Sequence, residues 1–210
     1  MVANKIAKNT GVLNRVKNNL PIAALKTLYY SFIFSHLSYG LEVWGAATSN
    51  KNFKRIVTTQ KKAIRIITKS KWLSHTEPRM KDLGLLRITD QHQLQCLSLI
   101  YDMTKGYCND IFGLIDKQND QVMAHNLRSV QNRPKNVRYV TRPNLQRKIS
   151  FPFVASKFWN NTDENIQSSA SRRELKGKIR RKLLGTYRKK VPCQNPRCPD
   201  QQSHVDCYPR

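Results

Sequence analysis

Four residues near the C-terminal end have the side chains of a metal site. Cys193, Cys198, His204 and Cys207 place three thiolates and one imidazole within fifteen residues, a ligand set that suits tetrahedral zinc. Prolines at 192, 196 and 199 would keep the intervening backbone in turns. The spacing C-x4-C-x5-H-x2-C follows neither a retroviral-type knuckle nor a zinc-finger pattern, and free thiols are the other reading. Four protein ligands would leave no open position for a substrate water, so any zinc here would be structural. His75 and His92 have no Cys, Ser or carboxylate at a spacing that suggests catalysis, and both read as structural. Cys96 lies among Leu94, Leu97 and Leu99 and reads as core.

The second chemistry is electrostatic. The 210 residues carry 38 Lys and Arg against 13 acids, a net charge of +25. Such an excess repels itself in a folded state and is relieved by a phosphate backbone or an anionic surface. Both halves of the chain carry it, which suits a long ligand such as nucleic acid better than a small acidic substrate. Its sharpest expression is KNFKRIVTTQKKAIRIITKS, residues 51–70. As a helix, this stretch gathers Phe53, Ile56, Val57, Gln60, Ile64 and Ile67 within an arc of about 80°. Lys51, Lys54, Arg55, Lys61, Lys62, Arg65 and Lys69 fall on another arc, with no carboxylate among them. A merely solvated face would intersperse Glu and Asp in i,i+4 pairs, so the expected role is contact with a polyanion. A second basic helix is expected over residues 171–187, with Leu175, Ile179 and Leu183 as its apolar stripe. Its cations Arg172, Arg173, Lys176, Lys178, Arg180, Arg181 and Lys182 join the candidate nucleic-acid-binding set, beside the plainer reading as a localisation signal or solubilising tail. Six phosphate contacts here would make binding vary with roughly the fifth power of salt concentration.

The positioning elements read as mainly α. A first helix is expected over residues 2–17, with Ile6, Val12, Leu13 and Val16 apolar and Gly11 weakening its middle. Pro21 suits the start of a second helix. From Ile22 onward the apolar residues crowd all round through Leu37, as in the central helix of a bundle, until Tyr39-Gly40 breaks the run. Tyr39 and Trp44 read as core packing. The longest uncharged stretch, Thr27–Leu41, is shorter than the ~20 residues a membrane span needs. With no secretory pattern at the N-terminus, the expected compartment is cytosol or nucleus. Beyond the basic helix, His75-Thr76-Glu77-Pro78 opens a short helix closed by Gly84, and Thr89 or Asp90 would cap another that stops at Gly106. The expected organisation is a helical bundle over 1–106, a polar basic connector over 107–150, a basic helical segment over 151–190 and a Cys/His tail over 191–210. The connector is irregular, with one or two short strands around Val137–Thr141. Its Arg128, Arg133, Arg138, Arg142, Arg147 and Lys148, with Tyr139 among them, fit either a base-stacking trail or a flexible linker.

The order of several short motifs resembles the post-catalytic part of non-LTR (LINE-like, Jockey-type) retrotransposon reverse transcriptases. The residues that carry it are Ile6–Leu13 (IAKNTGVL), Leu25–Tyr29 (LKTLY), Tyr39-Gly40 with Trp44, Gln60–Ile67 (QKKAIRII), His75–Pro78 (HTEP), Leu83–Leu86 (LGLL) and Ala155–Asn160 (ASKFWN). They span most of the chain. The resemblance implies a helical thumb followed by a C-terminal segment, with the Gln60–Lys69 helix against a template–primer duplex. It also implies that the Mg²⁺-dependent chemistry lies elsewhere. Two-metal phosphoryl transfer needs clustered aspartates, and this sequence has no adjacent Asp pair and no Tyr-x-Asp-Asp, its only neighbouring acids being Asp163-Glu164. The expectation is a duplex clamp without polymerase activity of its own, the thumb and tail of a truncated element or partial gene product. The expected partner is an RNA–DNA or DNA duplex, or element RNA, with no membrane and no small-molecule substrate. The alternatives are a free-standing nucleic-acid-binding or chaperone-like protein, and a degenerate element product without activity.

Overall fold

A computed structural model of the chain describes residues 2–47, 50–72, 74–109 and 150–187. Helix is the regular secondary structure of these residues, and no strand occurs among them. The expected strand at Val137–Thr141, the connector's basic trail and the Cys/His tail lie outside them. Also among the described residues, no helix is long and apolar enough to cross a membrane.

The helices are α1 (Val2–Val16), α2 (Ile22–Tyr29), a π-helical turn (Tyr30–Phe34), α3 (Ser35–Ser38), α4 (Leu41–Ala47) and α5 (Asn50–Ile67). Then follow α6 (Glu77–Leu83), α7 (Ile88–Thr104), α8 (Phe151–Asn160), α9 (Glu164–Gln167) and α10 (Arg172–Gly185). Their contacts define two units. Among the described residues, one comprises residues 2–41, 50–91 and 182–187, the other residues 42–47, 92–109 and 150–181.

In the first unit α1 packs along α5, and α2 touches both. Ile6, Thr10 and Leu13 form the buried face of α1, a spacing of four and three that keeps them on one side. Gly11 lies on the outside, where its missing Cβ would meet nothing within 4 Å, so the helix tolerates it. Val12, expected inside, is exposed. Pro21 holds an extended ψ of 159° and its carbonyl accepts the Leu25 N–H, so α2 starts one residue later.

The run from Ile22 is not buried all round. Leu25, Tyr29, Ile33, Leu37 and Leu41 are fully buried, whereas Ile22, Tyr30, Phe32 and Tyr39 are exposed, Tyr39 by 85%. A single stripe faces the core, and Tyr39 is not the packing residue its type suggested. Its backbone is extended and Gly40 has φ +60°, so the helix breaks here and the ring lies exposed. In the π turn, Ser35 N–H reaches back to the Tyr30 carbonyl, and the Phe32 carbonyl accepts a 2.6 Å bond from Asn9 Nδ2 of α1.

Three helices end in the same way, with the residue after the C-cap in the left-handed region and a 6→1 bond behind it. For α6 that residue is Gly84, with Leu85 N–H bonded to Met80 O at 2.8 Å; for α7 it is Gly106, with Tyr107 N–H bonded to Asp102 O at 2.8 Å. For α5 it is Lys69, at φ +50°, with Ser70 N–H bonded to Arg65 O at 2.9 Å.

Helix α7 begins at Ile88, so neither Thr89 nor Asp90 caps it. Its first N–H is taken by Gln60 Oε1 from α5 at 3.0 Å, a partner no local pattern could indicate. Asp90 accepts instead from Arg87 Nε at 2.9 Å and from the Tyr187 hydroxyl at 2.5 Å, with the Arg87 guanidinium over the Tyr187 ring.

In the second unit the buried apolar side chains are Leu94, Cys96, Leu97, Ile100, Tyr101, Met103, Phe151, Ala155, Trp159, Ile166, Leu175 and Ile179, with His92, Ser98, Asp102, Ser156 and Ser169 buried among them. Tyr101 donates to Ser169 O at 2.9 Å. Helix α10 begins with Ser171 Oγ accepting the Glu174 N–H while the Glu174 carboxylate accepts the Ala170 N–H, a variant of the capping box. His92 lies edge-on to Phe158 and close against Gly45, where a Cβ would come within 2.6 Å of the imidazole.

Candidate nucleic-acid interface

The burial pattern of α5 follows its sequence period. Ile56, Gln60, Ala63, Ile64 and Ile67 are buried, Phe53 and Val57 half-buried, and Lys51, Lys54, Arg55, Lys61 and Lys62 exposed. None of those five, nor Lys69, is paired with a carboxylate among the described residues. The face is held by what lies beneath it. Gln60, 2% exposed, donates through Nε2 to the Tyr29 hydroxyl and to Leu86 O, both at 3.0 Å, and accepts from Ile88 N–H. One amide thus joins α2, α5 and the approach to α7, and every polar group it carries has a partner. Burial pushes the Tyr29 hydroxyl up to about 12.

Arg65 differs from its neighbours. It is half-buried and its Nε donates to Ser74 O at 2.9 Å, which ties the chain after α5 back onto the helix. Burial, then the nearby Arg79, lowers its pKa, though a guanidinium stays charged. Arg65 therefore has a structural role besides whatever it offers a ligand.

A cleft of about 640 Å³ opens between the C-terminal halves of α1 and α5. From α1 and the turn after it come Thr10, Gly11, Asn14, Lys17 and Asn18; from α5 and beyond come Lys62, Arg65, Ile66, Lys69, Ser70 and Trp72. Four cations line it and no carboxylate does. Trp72 is 66% exposed, with Lys62 Nζ 5.2 Å from its ring centroid. The sequence pattern of α5 pointed to Lys62, Arg65 and Lys69. It could not point to Asn14, Lys17, Asn18 or Trp72, since pairing of α1 with α5 is a long-range contact. The signal that was present is an aromatic residue, Trp72, shortly after a basic helix and beside Lys69 and Lys71.

On α10 the expected cations divide. Arg172 pairs with Asp102 at 3.0 Å, and Lys178 pairs with Glu174 at 2.8 Å and donates to Asn165 O at 2.8 Å. Burial raises the Asp102 pKa despite Arg172 and Lys176 nearby, which lower it. Burial likewise lowers that of Lys176. Arg173, Lys176, Arg180, Arg181 and Lys182 are exposed. Leu175 and Ile179 are buried and Leu183 half-buried, as the stripe required. Part of this helix's charge therefore holds the second unit together.

His92 is buried and Cys96 fully so. Burial lowers the His92 pKa, and Glu42 partly offsets this; burial pushes the Cys96 thiol up to about 12. A thiol so protonated is no nucleophile at neutral pH. Among the described residues, no three His, Cys, Asp or Glu side chains are grouped to hold a metal. Cys193, Cys198, His204 and Cys207 lie outside those residues. No protein-family model, curated protein or solved structure matches this chain.

Proposed function

We propose that the chain binds a nucleic-acid duplex through its phosphate backbone, as the thumb of a non-LTR retrotransposon reverse transcriptase would beside its catalytic palm. The observation that carries this reading is the outer face of α5. Lys51, Lys54, Arg55, Lys61 and Lys62 are exposed over about three turns without a carboxylate partner among the described residues, above a fully satisfied buried amide. Lysine ammoniums on a rigid helix suit phosphate contact, which positions a duplex without reading its bases. The helix supplies charge and register and no reacting group, so the role is grip rather than catalysis. An RNA–DNA hybrid or a DNA duplex is the ligand class, and element RNA carries the same phosphates. In the same proposal Cys193, Cys198, His204 and Cys207 hold one structural zinc; a purified chain that retains no zinc at neutral pH removes that part.

The test reverses charge on Lys54, Lys61 and Lys62 while leaving Arg65 and its structural bond intact. Affinity for an RNA–DNA hybrid should fall, and the slope of log K against log salt should decrease by about one per lysine. A parallel variant reverses Arg173, Arg180 and Arg181 on α10. If that variant loses binding and the α5 variant keeps it, a free-standing binder driven by the C-terminal helix replaces the clamp.

A further inference from the structure

We infer that the cleft between α1 and α5 is a site for one unpaired nucleotide at the end of a bound strand, its base stacked on Trp72 and its phosphate held by Lys17, Lys62 and Lys69. The inference rests on the duplex grip proposed above and adds to it a discrimination that phosphate contacts alone cannot make.

A continuous duplex offers no base face to an indole ring, because each face is covered by the next pair. An aromatic residue that is two-thirds exposed beside cations is matched instead by a base outside the stack, and such stacking is sequence-tolerant. The cleft's volume of about 640 Å³ lies within the range of sites that enclose small molecules, and excludes a duplex. Asn14 and Asn18 add amides on its α1 side, each offering donors and an acceptor to a base edge. Lys62 sits over the ring of Trp72 at 5.2 Å, so stacking platform and phosphate ligand come as a preassembled pair.

Lys69 is the independent observation. The turn that sends the chain from α5 toward Trp72 requires a positive φ, and the equivalent turns after α6 and α7 use Gly84 and Gly106. A lysine at that position is strained relative to glycine. Its side chain lines the cleft. The residue that suits the turn has no cation to offer there.

The test compares fluorescently labelled RNA–DNA hybrids with blunt ends, with one unpaired terminal nucleotide, and with an abasic unpaired terminus. The unpaired nucleotide should tighten binding by roughly 5- to 100-fold over the blunt hybrid, and the abasic terminus should not. Trp72→Ala should remove the preference and leave blunt-end affinity unchanged. Gly11→Leu should do the same by filling the cleft from a position with nothing within 4 Å of a new Cβ, with every cation retained and the helix favoured. Equal affinity for blunt and unpaired ends, or a preference that persists in the abasic hybrid or in both variants, overturns the inference and leaves the grip standing. Absence of binding to every hybrid at low salt overturns the grip itself. Competition by a free nucleoside monophosphate at concentrations matching the hybrid would make the site a mononucleotide pocket and overturn its assignment to a strand end.

Discussion

Gln60 Oε1 lies 3.0 Å from the backbone nitrogen of Ile88, so a side chain in the middle of α5 satisfies the first N–H of α7. The same amide donates to Leu86 O and to Tyr29. Gln60→Leu keeps the volume but leaves a buried N–H and a buried carbonyl without partners. The expected loss is about 2–4 kcal/mol, read from the urea midpoint, since each orphaned group costs about 1–3 kcal/mol. A loss below about 1 kcal/mol would mean that water reaches these groups.

Lys69→Gly should separate stability from binding. Relief of the left-handed lysine should stabilise the chain by about 0.5–1 kcal/mol, seen as a rise in Tm. Affinity for a hybrid with an unpaired terminal nucleotide should fall several-fold in the same protein. A variant that is neither more stable nor weaker in binding would remove the functional reading of that turn.

The pH dependence of stability should carry a signature from His92. Its folded pKa lies below the ordinary 6.5 because burial disfavours the imidazolium. The unfolded chain then binds the proton that the folded chain resists. The contribution is complete above about pH 7 and is lost as pH falls through the folded pKa, with a slope of at most about 1.4 kcal/mol per pH unit. Glu42 acts against the depression, and Asp102, whose pKa burial raises above 3.8, contributes with the opposite sign and is common to the native chain and the His92 variant. Urea midpoints at pH 7.5 and 5.5 should differ in the native chain and converge in His92→Asn.

Gly45→Ala tests the same neighbourhood by sterics. The added methyl meets three imidazole atoms at 2.6–2.9 Å, so the ring must leave its place against Phe158. A loss of about 1–3 kcal/mol is expected in thermal or urea unfolding. An unchanged Tm would show that the imidazole moves without consequence.

Thiol chemistry should distinguish Cys96 from the tail. Fully buried and pushed up to about 12, it should resist iodoacetamide at pH 8 in the folded protein and react once the chain is denatured. Peptide mass spectrometry resolves it from Cys193, Cys198 and Cys207. Modification of Cys96 under native conditions would contradict the packing of α7.

The helical class and α5 were legible in the sequence because their signals are local. A 3.6-residue period with cations and apolar residues on separate arcs survives any tertiary context, and Gly84 and Gly106 mark helix ends by their own backbone freedom. What failed was non-local. Thr89 and Asp90 looked like caps because the true partner of α7 is Gln60, 28 residues away. Tyr187 gave no sign of being buried, since its partners Arg87 and Asp90 lie about a hundred positions earlier. Tyr39 and the run from Ile22 show the converse limit, because apolar type alone does not say which faces a helix will cover. The cleft was illegible for the same reason: its two walls meet only when α1 packs along α5.

The π turn at Tyr30–Phe34 bears on how the sequence can vary. Leu25, Tyr29, Ile33 and Leu37 recur every four residues and all are fully buried, yet twelve residues of uninterrupted α-helix would carry Leu37 about 120° around from Leu25. A turn closed by i→i+5 bonds holds one extra residue, which takes back roughly 100° of that rotation. The widened turn is thus a phase correction written as an insertion. Deleting one residue within it would restore regular helix and leave Leu37 about 20° around from Leu25, still on the core side, whereas adding one would rotate it away by about 100°. This stretch should accept substitutions at the exposed Tyr30 and Phe32, and the loss of one residue, far more readily than the gain of one.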